Sequence, residues 1–225
     1  MNFDEQLREQ IADKQLLLHP FYQDWNQGKL SVERLAAYSK QYYHHVSAFP
    51  RYLSATHSMC EDAEARKALL ENLNDEEGGA SEDAVPHPKM WKDFAEGLGA
   101  TAEELEQGQP RTAVKRTIDT FLKRTRSSYA EGLGAIYAYE YQGVAVAKTK
   151  RDGLISNYGI EDEKTLGYFT EHQEADVLHR SDLERLINKL PTEDKPRALE
   201  AAKDVSACLW DLLTDLHEMD LENAH

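Results

Sequence analysis

The chain has 225 residues, 40% hydrophobic and 30% charged, ordinary globular values that suit one domain (1–225) with a sizeable core. Its 26 basic and 41 acidic residues leave a net charge of −15, which argues against nucleic acid or an anionic membrane as the main partner. Cys60 and Cys208 form no metal or redox motif, no apolar run approaches the ~20 residues of a membrane span, and the N-terminal residues lack a signal-peptide pattern, so a cytoplasmic location is expected.

Residues 3–18 read as an amphipathic helix with Leu7, Ile11 and Leu18 on or near one face, broken by His19-Pro20. Residues 21–27 form a short aromatic helix closed by Gly28. Ser31 then caps a long helix through Tyr38, Tyr42 and His45, bent at Pro50. That helix carries many rings, and core packing is the ordinary role for most of them. Residues 62–77 form another helix, ended by Gly78-Gly79. On it Leu69, Leu73 and Glu76 lie at i, i+4 and i+7, so Glu76 extends the apolar face; Glu77 does nearly as well relative to Leu70 and Leu73.

A polar loop, 78–86, leads to His87, and Pro88 suits the first position of a helix to about Leu98. Thr101-Ala-Glu-Glu starts a short helix with a capping-box pattern. Residues 111–149 read as one long helix or two in line. Its most apolar window, 132–147, contains one acidic residue, Glu140, sharing a face with Leu133, Tyr137, Val144 and Ala147. A buried Glu must be protonated, paired or metal-bound.

Residues 162–189 form a helix in which His172, Asp176 and His179 stand at i, i+4 and i+7. At roughly 100° per residue they fall on one stripe, continuous with Phe169, Leu183 and Leu186. Burying an unpaired carboxylate costs several kcal/mol or more, and a cation holding two imidazoles and a carboxylate offsets that; nitrogen and carboxylate ligands suit iron or manganese. Residues 192–219 form a last amphipathic helix, followed by a tail expected to fray. The expected fold is all-α, a bundle of about seven helices. Glu76, His87, Glu140, His172, Asp176 and His179 together make three carboxylates and three imidazoles, a set suited to two metals in a helical bundle.

Several segments carry a family resemblance. They are His-Pro-Phe-Tyr at 19–22, Ala-Phe-Pro-Arg-Tyr-Leu-Ser-Ala at 48–55 and Glu-Ala-Arg-Lys-Ala-Leu-Leu-Glu-Asn-Leu at 64–73, then Asp-Glu-Glu at 75–77, His-Pro-Lys-Met-Trp at 87–91, Tyr-Ala-Tyr-Glu at 137–140 and Tyr-Phe-Thr-Glu-His-Gln-Glu-Ala-Asp-Val-Leu-His at 168–179. Through them the chain resembles the CADD family of heme-oxygenase-like di-metal oxidases, and so a heme-oxygenase/TenA-like fold. The resemblance places six metal ligands on Glu76, His87, Glu140, His172, Asp176 and His179, choosing Glu76 over Glu77. The link 78–86 is longer than the family's usual one.

The resemblance implies O2-dependent formation of para-aminobenzoate for folate biosynthesis. Two transition-metal ions (Fe/Fe or Fe/Mn) and a reductant take part, and the protein's own tyrosine and lysine are the substrate. The family's positions fall on Tyr22 and Tyr38 for the tyrosines and on Lys150 for the lysine. Tyr22 is taken as ring donor and Tyr38 as relay or second candidate. Helical geometry alone does not choose between Lys148 and Lys150, and a solvated helix end is the ordinary reading of Lys150. Competing readings are a di-metal oxidase acting on an external small amine or acid, a metal-free thiaminase-like enzyme with a cysteine nucleophile, and a non-enzymatic interaction protein. A homodimer is expected although no sequence feature fixes it, and a protein partner is suggested by the family's name alone.

Overall fold

The computed structural model describes residues 3–79 and 84–221, leaving out the side chains of 173–177. The tail expected to fray and the tip of the 78–86 loop thus lie outside the described residues. Among those described there are ten α-helices, two short 3-10 helices and no strand. The helices are α1 (Phe3–Gln10), α2 (Pro20–Asn26), α3 (Val32–Ser58), α4 (Ala63–Glu77), α5 (His87–Gly97), α6 (Ala102–Gln107), α7 (Thr112–Ser127), α8 (Tyr129–Tyr158), α9 (Glu163–Asn188) and α10 (Lys195–Glu218). The all-α expectation holds, but the count of about seven was too low: the short helices add to the long ones, and the stretch 111–149 holds two helices.

Two divisions matter for the site. The helix expected over 3–18 stops after α1, and 3-10 turns at Ala12–Lys14 and Leu16–Leu18 carry the chain to α2. Leu16 turns inward, its backbone N–H donating to Gln142 Oε1 (2.8 Å), whereas Leu18, expected on the apolar face, is exposed. The stretch expected as one helix or two in line is divided at Ser128, whose extended backbone lets α7 and α8 pack against each other instead of running on. Ser128 caps α8 by accepting from the Glu131 N–H, and α8 continues to Tyr158, well past the boundary expected at 149.

The caps read from the sequence are present. Ser31 accepts from Arg34 N–H at the start of α3, Thr101 and Glu104 form a reciprocal capping box, and Gly78 ends α4 with φ +104°. Helix α3 continues through Pro50. The long helices α3, α8, α9 and α10 frame one apolar core that takes in Trp25, Leu53, Phe121, Ile136 and Leu209. Where α8 crosses α10, Gly134 lies against the backbone: a Cβ there would stand 2.0 Å from Ala198 O, so any side chain would push the two helices apart. At the centre of the bundle the apolar faces give way to buried polar groups, among them Glu76, His87, Glu140, Lys150 and His172.

Candidate functional site

The centre holds two different polar groups on either side of a small cavity. The first is a cluster of carboxylates and imidazoles from α4, α5, α8 and α9. Glu76 extends the apolar face of α4 and is buried, while its neighbour Glu77 is exposed. His87 stands in the first turn of α5, which is docked on α3 by the Trp91 indole N–H donating to Ser39 O (2.8 Å). Glu76, His87 and His172 each bring one ligand atom to within 4.8 Å of the others.

Among the described residues these groups are poorly satisfied by protein. His87 Nδ1 and Glu76 Oε1 approach to 3.0 Å without the alignment of a hydrogen bond, and His87 Nδ1 is left without a partner. A buried nitrogen and a carboxylate oxygen this close, with His172 beside them, fit a shared cation. His172 Nδ1 lies 2.7 Å from Tyr168 O; a carbonyl only accepts, so Nδ1 carries the proton and Nε2 keeps a lone pair for a metal. Burial pushes the His172 pKa well below 6.5, with His87 adding to the effect, so the ring is neutral as a ligand must be. At His87 burial acts the other way from the Glu76 carboxylate, which prevails and raises the pKa.

Glu140 and His179 form a second pair beside this trio. Burial lifts Glu140 to a pKa of about 7, with His179 and Asn72 working against the rise. Its Oε1 accepts from Asn72 Nδ2 (2.7 Å), while Oε2 is buried and unpartnered and lies 3.8 Å from His179 Nδ1. The donor set fits divalent metal with mixed nitrogen and oxygen ligands, the composition that suits iron or manganese. Asp176 lies outside the described residues.

The second polar group is Lys150, alone among rings. It lies in the body of α8, 3% exposed, and is not the solvated helix end that the sequence allowed. Lys148 is exposed and pairs with Asp152, so the structure separates two lysines that helical geometry could not. The Lys150 ammonium stands 4.9 Å from the ring centroid of Tyr42, 5.2 Å from those of Tyr38 and Trp91, 5.4 Å from Tyr22 and 5.7 Å from Phe169. No hydrogen bond or ion pair reaches it among the described residues, and burial lowers its pKa to about 7. A large share of such lysines is the free amine at neutral pH, a nucleophile.

Tyr22 and Tyr38 are wholly buried, their hydroxyls 3.5 Å apart. Burial holds both phenols well above their ordinary pKa, so they stay protonated. Tyr22 reaches Lys150 because α2 is fastened at both ends. His19 caps α2 through Nδ1, accepting from Phe21 N–H (3.0 Å), and its Nε2 meets Thr214 Oγ1 at 2.9 Å. Trp25 Nε1 donates to the Lys150 carbonyl (3.2 Å), over Gly153, where a Cβ would come within 2.6 Å of the indole.

The cavity between the two groups has a volume of about 30 Å³ and is lined by Lys150, Tyr42, Tyr139, Tyr168, His172 and Leu16. Space of that size takes a water or two, or a diatomic gas, and no aromatic molecule. Tyr42, Tyr139, Tyr168, Asn72 and Asp75 were not singled out from the sequence as site residues. Tyr168 was the most accessible of them, one turn before His172 on the same stripe. Behind the cavity His45 is wholly buried among the rings of Tyr42, Phe49, Tyr52, Phe121 and Tyr139, with neither ring nitrogen partnered, and burial pushes its pKa to about 3.

A model of a family of iron-containing redox enzymes matches residues 36–210. The chain is 45% identical over 219 residues to the 4-aminobenzoate synthase of Chlamydia muridarum (strain MoPn / Nigg), covering 97% of this chain and 91% of that one. It is 35% identical over 228 residues to the 4-aminobenzoate synthase of Nitrosomonas europaea, covering 96% and 91%. Among solved structures it is similar to a Shewanella denitrificans domain of unknown function with a heme oxygenase-like fold, with a TM-score of 0.82 at 15% identity over 97% of this chain and 93% of the other.

Proposed function

Because the chain belongs to the iron-containing redox enzymes of heme-oxygenase-like fold, and within them to the CADD family, we propose that it forms 4-aminobenzoate with its own Tyr22 and Lys150 as substrate. The observation that carries this reading is the buried amine of Lys150, without an ion pair among the described residues, facing the rings of Tyr22 and Tyr38 beside a cavity with no room for an aromatic substrate. The same smallness weighs against an oxidase acting on an external amine.

4-Aminobenzoate consists of a benzene ring, one carboxylate carbon and a para amine. Tyrosine offers the ring, Cβ and a para oxygen. The conversion therefore needs cleavage of the Cα–Cβ bond, oxidation of Cβ and exchange of the phenolic oxygen for nitrogen. Lys150 is suited to supply that nitrogen: its free amine would condense with the ring once O2 has oxidised it, the phenolic oxygen leaving as water, and a proton shift that moves the imine to Cε, followed by hydrolysis, would free the aryl amine and leave Cε as an aldehyde. The packing holds amine and ring at high effective concentration without a binding step.

In this reading Glu76, His87, Glu140, His172, Asp176 and His179 hold two ions, either two irons or iron with manganese. With an external reductant the ions supply the activation of O2. Tyr38, hydroxyl to hydroxyl with Tyr22, serves as relay. The chain's remaining contribution is exclusion: Leu16 and the surrounding rings keep bulk water from the amine and the phenols. Folate biosynthesis, a cytoplasmic location and a homodimer complete the reading; no helix among the described residues is long and apolar enough to cross a membrane.

Protein labelled on its tyrosine rings, loaded with iron and manganese and exposed to O2 and reductant, should release labelled 4-aminobenzoate at less than one equivalent per chain. Tyr22→Phe and Lys150→Arg should each suppress release while keeping metal. Unlabelled product, or many turnovers with an added small molecule, would overturn the reading.

A further inference from the structure

One face of α4 does more than present Glu76. Asn72, Asp75 and Glu76 stand at i, i+3 and i+4 and so project together toward α8 and α9. Asn72 Nδ2 donates to Glu140 Oε1 at 2.7 Å. Asp75 Oδ2 lies 2.9 Å from His179 Nε2. A carboxylate there is an acceptor, so the contact assigns the imidazole proton to Nε2 and leaves the lone pair on Nδ1. After these two contacts Asn72 Oδ1 and Glu140 Oε2 remain buried and unpartnered, and Glu140 Oε2 faces His179 Nδ1 across 3.8 Å.

Resting on the dimetal reading above, we infer that Asp75 and Asn72 are positioning residues that select the ligating atoms of the second metal, Nδ1 of His179 and Oε2 of Glu140. A ring nitrogen held by a carboxylate is turned and made more basic at its other nitrogen. A carboxylate with one oxygen occupied presents the other in a fixed direction. The first trio, Glu76, His87 and His172, does not depend on these contacts, so the two positions are supported unequally. The second is built from ligands on two helices and aimed by a third. Asp75 is half-exposed, and its replacement leaves the core intact.

The test is anaerobic titration of the full-length protein with Fe(II), and separately with Mn(II), counting bound ions per chain and following magnetic coupling between them by EPR. Wild-type protein should bind two ions. Asp75→Ala should bind one as before and the second about 10- to 100-fold more weakly, with coupling lost at limiting metal and an unchanged melting temperature without metal. Asp75→Asn, whose amide oxygen still accepts from Nε2–H, should recover most of the second-site affinity. Asn72→Ala should weaken the same site. Equal affinity for both ions in Asp75→Ala would overturn the assignment, as would a lowered melting temperature with metal binding unchanged, since Asp75 would then be a surface ion-pair partner only. Failure of the wild-type chain to bind a second ion would instead sink the dimetal reading itself.

Discussion

The two polar groups at the centre of the bundle, a cavity's width apart, handle the cost of burial in opposite ways. The cluster on α4, α5, α8 and α9 concentrates acceptors: carboxylate oxygens and imidazole nitrogens whose free atoms converge. Among the described residues Lys150 meets ring faces and no hydrogen-bonded or ion-pair acceptor. The first arrangement calls a cation in; the second drives a proton out. Redox ions and a free amine in one small volume would otherwise interfere, since an ammonium repels metal and a carboxylate near Lys150 would keep it charged. His172 faces the cavity with Lys150 and belongs to the metal side, so the two environments meet there.

Lys150→Met breaks the contrast most severely. It should abolish product while raising stability near neutral pH by on the order of a few kcal/mol, because a pKa lowered from 10.5 to about 7 measures the cost of the buried charge. The sign follows from linkage. Between the folded pKa near 7 and the unfolded value of 10.5 the unfolded chain binds more protons, so wild-type stability should rise with pH across that window. Denaturant unfolding from pH 6 to 10 checks this: the slope should vanish in Lys150→Met.

Glu140→Gln tests the other side, with a smaller effect. In metal-free protein the raised pKa means that the folded state holds a proton the unfolded state releases between 4.5 and about 7. Stability should therefore fall as pH rises through that window, and the variant should flatten the fall. With metal the carboxylate form is the bound one, so metal affinity should strengthen over the same range, as isothermal titration at several pH values would register.

The smallest effect sharpens the comparison from outside it. His45 is buried like His87 and His172 but has rings for neighbours and no partner for either nitrogen. His45→Phe should raise the melting temperature, by the equivalent of about 1 kcal/mol, because an unsatisfied buried polar group is removed at nearly constant shape. A drop in melting temperature would mean that the ring nitrogens are satisfied in solution.

Much of this centre was legible in the sequence because helical periodicity marks which face a residue occupies. Glu140 stood out as the one acid in an apolar window, and His172 and His179 as interruptions of a stripe. Periodicity says nothing about how one helix is rotated against another. By spacing alone Glu76 and Glu77 were therefore nearly equivalent on α4, as Lys148 and Lys150 were on α8; the family resemblance favoured Glu76 and Lys150, and packing separates each pair. Asn72 and Asp75 were hidden for the same reason: each acts through a partner more than sixty residues away in sequence. The turn between α7 and α8 was missed because Ser127-Ser128 carries no Gly or Pro to announce it.

The complete burial of Tyr22 carries a consequence for the life of the molecule. Its ring packs against Phe21, Trp25 and Tyr38 with no access to solvent. A chain that surrendered that ring would be left with an aromatic-sized void in its core, a loss that costs roughly 3–5 kcal/mol when made by substitution. Against a typical stability of about 5–15 kcal/mol, that would loosen the bundle around α2 and the 3-10 turn whose Leu16 lines the cavity. The same act that makes the product would open its way out and mark the remaining chain for proteolysis. Output would then be set by the rate of protein synthesis, with each chain serving as a single dose of reagent.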